Sequence, residues 1–191
     1  SQSTIDIVHS TIAHHREHGV WLKEGTVATI RTSTIAENGY CNIANEESDL
    51  TLCESDVTNA KEHGLLLKSN SHTFIQQSTI QQSGYDNVHV GEGAKLEMTD
   101  STCRDAEHDG LYIDTDSSVV VKNSHFIRNK QYGIYEKTDT LNALIHHATF
   151  DENGQKDHLK QRAPKQVTNE TPKTTSLVTT DALALLDALV G

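Results

Sequence analysis

The sequence predicts an all-β solenoid, and three observations predict it. Ser10, Ser33, Ser55, Ser78, Ser101 and Ser124, continued by Ala148, recur at steps of 23, 22, 23, 23, 23 and 24 residues. Around each of them the same apolar positions return: Ile7, Ile30, Leu52, Ile75, Met98, Val121 and Ile145 stand three before, and Ile12, Ile35, Val57, Ile80, Cys103, Phe126 and Phe150 stand two after. Nine after come Gly19, Asn42, Gly64, Asn87, Gly110 and Gly133, each followed by one apolar residue. A fixed period of this size, carrying short alternating patterns, marks a chain of stacked coils. Alternation at period two means strands with one face inward.

The first coil shows the layout. Ile5, Ile7, Ser10 and Ile12 point inward, a polar turn runs from Ala13 to Gly19, and Val20 and Leu22 point inward again, so each coil has three short strands. Gly and Asn accept a left-handed backbone most cheaply, so a sharp left-handed corner is expected at Gly19 and its equivalents. The turns alternate between two designs: Arg-Glu-His-Gly at Gly19 and Lys-Glu-His-Gly at Gly64, against Asn38 to Asn42 and Ser83 to Asn87. That alternation points to duplication of a two-coil unit. Pro164 and Pro172 both lie beyond the coils, as ladders of backbone hydrogen bonds require.

Three segments follow: about seven coils over residues 1–154, a polar extended tail over 155–178, and a short helix over 179–191. Thr180 or Asp181 would cap that helix and Gly191 would end it. Its apolar run from Ala182 to Val190 is expected to cover an open solenoid end, the alternative being a helix that docks on another protein. The chain opens already inside a coil, which suggests a piece of something longer.

The 191 residues carry a formal charge of −11, and the coils hold most of the acid, which excludes the basic stripe of a nucleic-acid binder. No apolar run reaches the length of a membrane span. Cys41, Cys53 and Cys103 fall on different rows and form no disulfide framework.

With the serine row and the Gly or Asn before an apolar-x-apolar strand, residues 3–154 resemble the right-handed parallel β-helix of the pectate-lyase-like superfamily. The short repeats of carbohydrate-binding proteins and sugar hydrolases, including periplasmic copper-related proteins, are the nearest grouping. The superfamily also holds polysaccharide lyases, epimerases, phage tailspikes and adhesins, so the resemblance implies fold before function. These coils lack the long unequal loops from which family enzymes build a cleft. No pattern of calcium-binding aspartates with a catalytic arginine can be matched.

Equivalent residues of adjacent coils stand about 4.8 Å apart, so chemistry is sought along rows. The row eight after the serine reads His18, Cys41, His63, Asp86, Asp109 and Tyr132, and its neighbour reads Glu17, Tyr40, Glu62, Tyr85, His108 and Gln131. These are metal-ligand and acid–base residue types. His18, Cys41 and His63 are the candidate ligands of a divalent metal ion. Tyr85, Asp86, His108 and Asp109 are the candidates for proton transfer, with Arg104 or Arg128 holding a uronate. Plain solvated turns and a surface ion pair are the competing explanations.

The outward row Trp21, Ala44, Leu66, His89, Tyr112 and Tyr135 offers Trp21, His89, Tyr112 and Tyr135 as a platform for sugar rings. Cross-strand stacking or coverage by the tail is the alternative. Phe74, Val120 and Leu144 form an outward apolar patch. The expected function is therefore a module that binds or processes an extracellular, cell-surface or periplasmic polysaccharide. Its rivals are a structural spike, adhesin or fibre subunit that homo-oligomerises through solenoid faces, and a metal-binding solenoid.

Overall fold

A computed structural model of the chain describes residues 3–137 and 143–160. Over those residues 21 strands form three parallel sheets of seven strands each. One coil contributes one strand to each sheet, for example His72–Gln76, Thr79–Gln81 and Val88–Val90. Each strand pairs in parallel with its counterparts one coil before and one coil after. The result is a parallel β-solenoid of seven turns, with no helix among the described residues. The helix predicted over 179–191, and the tail beyond residue 160, lie outside the described residues.

The three apolar rows read from the sequence are the three walls of the core. Ile30 pairs with Leu52, Leu52 with Ile75, Ile75 with Met98 and Met98 with Val121 in the first sheet. Ile35, Val57, Ile80, Cys103 and Phe126 do the same in the second, and Ile43, Leu65, Val88, Leu111 and Ile134 in the third. All of these are buried, so the hydrophobic stabilisation runs as a continuous column along the axis.

The serine row is a hydrogen-bond ladder. Each hydroxyl donates to the carbonyl two residues back, as Ser78 Oγ does to Gln76 O at 2.8 Å. From Ser33 onward it also accepts the backbone N–H of the serine one coil earlier, as Ser78 Oγ does from Ser55 N at 3.2 Å. The rung repeats from Ser10 through Ser124. Serine is required there because a buried corner N–H has no water to turn to.

The corners differ from the expectation. Gly19, Gly64, Gly110 and Gly133 are not left-handed, and neither are Asn42 and Asn87. The left-handed corners lie in three other rows, occupied mostly by polar non-glycine residues. His9, Thr32, Glu54, Gln77, Asp100, Asn123 and His147 precede the serine row, and His14, Glu37, Asn59, Gln82, Asp105, Arg128 and Glu152 follow it, with φ between 47° and 61°. Gly25, Glu47, Asn70, Gly93 and Asp116 make the third. Gly64 is glycine for a different reason: a Cβ there would sit 2.5 Å from the Asn87 carbonyl oxygen of the next coil. Where Asn42 and Asn87 replace it, the amide turns inward and donates to Thr58 O at 2.8 Å and Arg104 O at 3.0 Å.

The solenoid also runs past residue 154. Lys156–Lys160 pairs with Tyr132–Glu136 and completes the seventh coil. His158 occupies the place where Ile134 stands one coil earlier, and Asp157 falls at the glycine position, so the repeat is polar where the pattern demands an apolar residue. The His158 imidazole meets the buried Glu136 carboxylate at 2.5 Å, which gives that acid a partner.

Candidate functional site

The turn between the second and third sheets carries the polar rows, and its geometry is set by the stacking of coils. Asp86 is 0% exposed, its carboxylate lying against the next coil. There Oδ1 accepts the Asp109 N–H at 3.2 Å, and Asp109 Oδ1 in turn accepts the Tyr132 N–H at 3.0 Å. Both acids therefore begin as caps for backbone donors, which is what places carboxylates inside.

Three imidazoles converge on Asp86. His108 Nδ1 lies 3.0 Å from Oδ1, His89 Nδ1 lies 2.9 Å from Oδ2, and His63 Nδ1 lies 3.5 Å from the same Oδ2. His108 Nδ1 is also 3.1 Å from Asp109 Oδ2. Two sets of donors that could each hold a metal ion follow, His63–Asp86–His89 and Asp86–His108–Asp109, with the ligand atoms of each set within 4.8 Å of one another.

Burial dominates the electrostatics. It pulls the His63 pKa down to about 4, against the attraction of Asp86 and helped by repulsion from His89 and His108. It pushes the Asp109 carboxyl up to about 6, a rise that the Tyr132 N–H opposes and the Asp86 charge supports. His63 is thus neutral at pH 7, with one ring nitrogen bare.

Aromatic rings frame the cluster. Tyr85, 47% exposed, lies flat on His108 with centroids 4.3 Å apart and planes 10° from parallel, and meets His63 edge-on at 5.3 Å. His89 stacks on Tyr112 at 4.6 Å and 8°, and Tyr112 on Tyr135 at 5.3 Å and 13°. These last faces are consumed by one another. The stripe therefore offers solvent its ring edges and phenol groups, not the broad faces expected of a sugar platform.

Trp21, 43% exposed, stands three rungs away on the same sheet, across Ala44 and Leu66. Its indole N–H donates to Glu46 at 3.3 Å, and the Lys23 ammonium sits 3.8 Å over its ring. Between Trp21 and the cluster runs an open groove of about 380 Å³, lined by Glu46, Leu66, Lys68, His89 and Glu92. His89 belongs to both: its ring walls the groove while its Nδ1 binds Asp86.

The remaining sequence candidates lie elsewhere. Arg128 makes a two-pronged ion pair with Asp105 at 2.8 and 3.0 Å, and Arg104 reaches the same carboxylate at 3.5 Å. Arg128 and Asp105 line a separate groove of about 560 Å³ with Asn59, Gln82, Glu107 and Lys130. Neither arginine is brought to the Asp86 cluster. His18, Cys41 and His63 do not converge as a ligand set among the described residues. Cys41 is buried, which pushes its thiol up to about 11, and His18 packs between the rings of Trp21 and Tyr40. Reading by rows put His89 on the stripe and so missed it as a ligand. Its spacing of three from Asp86, across the corner, was the available signal.

Parallel coils of this kind, with a serine ladder and three apolar walls, define a β-helix protein. A family model described as "Right handed beta helix region" matches residues 43–159, and the chain belongs to that family. None of the curated proteins compared with it matches in sequence. Among solved structures it is similar to the periplasmic alginate epimerase AlgG, with a TM-score of 0.55 at 14% identity, over 83% of this chain and 51% of that one. It is similar also to the Azotobacter vinelandii mannuronan C-5 epimerase AlgE4 A-module, with a TM-score of 0.51 at 12% identity, over 82% of this chain and 62% of that one. At these identities the likeness is one of fold. The chain spans between half and two thirds of the length of these solved chains.

Proposed function

We propose that the chain is a carbohydrate-processing β-helix module that acts on a polysaccharide lying along the third sheet, with His108 as the proton-transfer residue. The observation that carries the reading is the double membership of His89, which joins an open groove to a buried Asp–His–Asp centre. The groove draws its lining from three successive coils, which suits a polymer, and the fold neighbours named as epimerases of alginate and mannuronan support the substrate class. A glycan partner and a periplasmic or extracellular setting belong to this proposal.

The geometry favours proton abstraction over hydrolysis. Hydrolysis by two acids needs both to flank an open glycosidic bond. Asp86 and Asp109 are 0% and 1% exposed and share one imidazole instead. They engage His108 Nδ1, which orients the ring and leaves Nε2 as the atom that exchanges a proton with substrate. Tyr85, flat on that ring and exposed, covers one face of His108 and holds the imidazole in place for the exchange. A carbon next to a sugar carboxylate is the site of such abstraction, which makes a uronate the expected residue.

Trp21 is the single tryptophan of the chain, and its partner Glu46 lines the groove, so intrinsic fluorescence reports on occupancy. Titration with neutral and uronate oligosaccharides is expected to shift and saturate the emission, with Leu66→Asp weakening the response at least tenfold. A flat signal across the panel, with no polysaccharide retained on affinity gels, would contradict the proposal. The rival assembly reading rests on Leu144, 52% exposed, beside Val120 on the outer face of the first sheet. Light scattering that shows concentration-dependent dimers lost in Leu144→Asp would favour it.

A further inference from the structure

We infer that His63, Asp86 and His89 form a binding site for one divalent first-row transition metal ion, with zinc as the archetype. The inference deepens the carbohydrate reading by giving the same centre a cofactor, and it can fail separately from that reading.

The donor atoms are His63 Nδ1, His89 Nδ1 and Asp86 Oδ2, set 2.9 and 3.5 Å apart across the carboxylate oxygen and all within 4.8 Å of one another. Ligands around a tetrahedral zinc at about 2.0–2.1 Å are roughly 3.3 Å apart, so the donors need move only by rotamer-scale adjustments to close on an ion. Two nitrogens and one carboxylate oxygen select borderline metals over calcium or magnesium, which require oxygen.

Each ligand is already held in place. Asp86 Oδ1 is engaged by the Asp109 N–H and by His108, so Oδ2 is the oxygen that faces the two imidazoles. His89 is fixed by the flat stack on Tyr112, and His63 by its edge contact with Tyr85. The two imidazoles are tilted 55° to each other at 4.8 Å, so they converge rather than stack. Such supports are what a metal site needs beyond its ligands.

His63 supplies the independent sign. Its Nδ1 is buried and makes no hydrogen bond, and a buried polar atom without a partner is a cost that an ion would remove. The open position of a three-ligand site would face the groove past His89, where water or a sugar oxygen completes the coordination. His108 and Asp109 lie outside this set and keep their proton-transfer geometry.

The test uses the full chain without a histidine tag, stripped with chelator and titrated with zinc sulfate alone by calorimetry. Cobalt(II) absorption reads the coordination, and calcium serves as the control. One equivalent of zinc is expected to bind, with a tetrahedral cobalt spectrum and no calcium heat. His63→Gln, His89→Gln and Asp86→Asn are each expected to weaken binding at least tenfold while circular dichroism stays unchanged, and His18→Gln is expected to do nothing. Undiminished zinc binding in His63→Gln and His89→Gln, or a loss in His18→Gln or His108→Gln instead, would overturn the assignment. If no zinc binds while oligosaccharides still change the Trp21 emission, the metal inference falls and the carbohydrate reading stands.

Discussion

Replacing Ser78 by Ala tests the ladder that holds the coils in register. The substitution removes an oxygen that accepts the Ser55 N–H at 3.2 Å and donates to Gln76 O at 2.8 Å. Gln76 O keeps a second donor, the Glu54 N–H at 3.1 Å, so it is not orphaned. Ser55 is 4% exposed, so its N–H finds no water in exchange. Leaving one buried donor unmade costs about 1–3 kcal/mol, and for a chain of this size each kcal/mol moves the melting temperature by roughly 2–4 °C. Ser10→Ala is the control: its hydroxyl donates only to Val8 O at the partly exposed first coil, and the loss should stay within about 0.5 kcal/mol. Urea unfolding by circular dichroism gives the free energies, and amide exchange at Ser55 gives the local readout. Equal costs for the two variants, or a Ser55 amide that stays protected in Ser78→Ala, would refute the reasoning. In the same series Ala148→Ser should add a rung and stabilise by about 0.5–1.5 kcal/mol.

Other outcomes follow from the corners, the thiols and the buried acid. Gly64→Ala forces a Cβ to 2.5 Å from the Asn87 oxygen and 2.7 Å from Ile80 Cγ2 and should cost about 3 kcal/mol, whereas Gly93→Ala, left-handed but in open space, should cost about 1 kcal/mol in the same urea assay. Cys53 is half-buried while Cys41 and Cys103 are buried with thiols pushed up by burial, so a thiol reagent should label Cys53 first and the other two only on unfolding, as read by mass spectrometry. In chelator-treated protein, Asp109 keeps its proton up to about pH 6 against an ordinary 3.8, so the stability it contributes is full below 3.8 and lost as pH rises through 6. Asp109→Asn should therefore gain on the wild type between pH 4 and 7. His63, lowered from 6.5 to about 4, acts with the opposite sign and offsets the Asp109 loss over nearly the same window, so His63→Gln should expose a fall in stability with rising pH that the wild type does not show, in urea midpoints measured against pH.

Much of the fold was legible because a solenoid converts sequence spacing directly into contact. The rows through Ile75, Ile80 and Val88 name their neighbours in the next coil by counting alone. The corners were not legible. Left-handed positions filled by Gln77, Gln82 or Arg128 carry no compositional mark, whereas Gly64 carried the mark for another cause, the close pass of a carbonyl. The seventh coil hid its last strand behind His158 and Asp157. At the site, counting placed Asp86, Tyr85, His108 and Asp109 side by side. It could not show that His89 turns back across a corner to Asp86, or that Tyr112 spends its faces on its neighbours. Those outcomes depend on side-chain torsions, and row arithmetic does not contain them.

The central claim is that His108, oriented by Asp86 and Asp109, exchanges a proton with a sugar seated past His89. Incorporation of solvent deuterium into uronate polymers, followed by NMR with wild type and His108→Ala, tests it most directly. The account predicts deuterium at the carbon next to the carboxylate with wild type and at least a hundredfold less with His108→Ala. Equal incorporation by both proteins, or none by the wild type on any uronate polymer that binds, would contradict it.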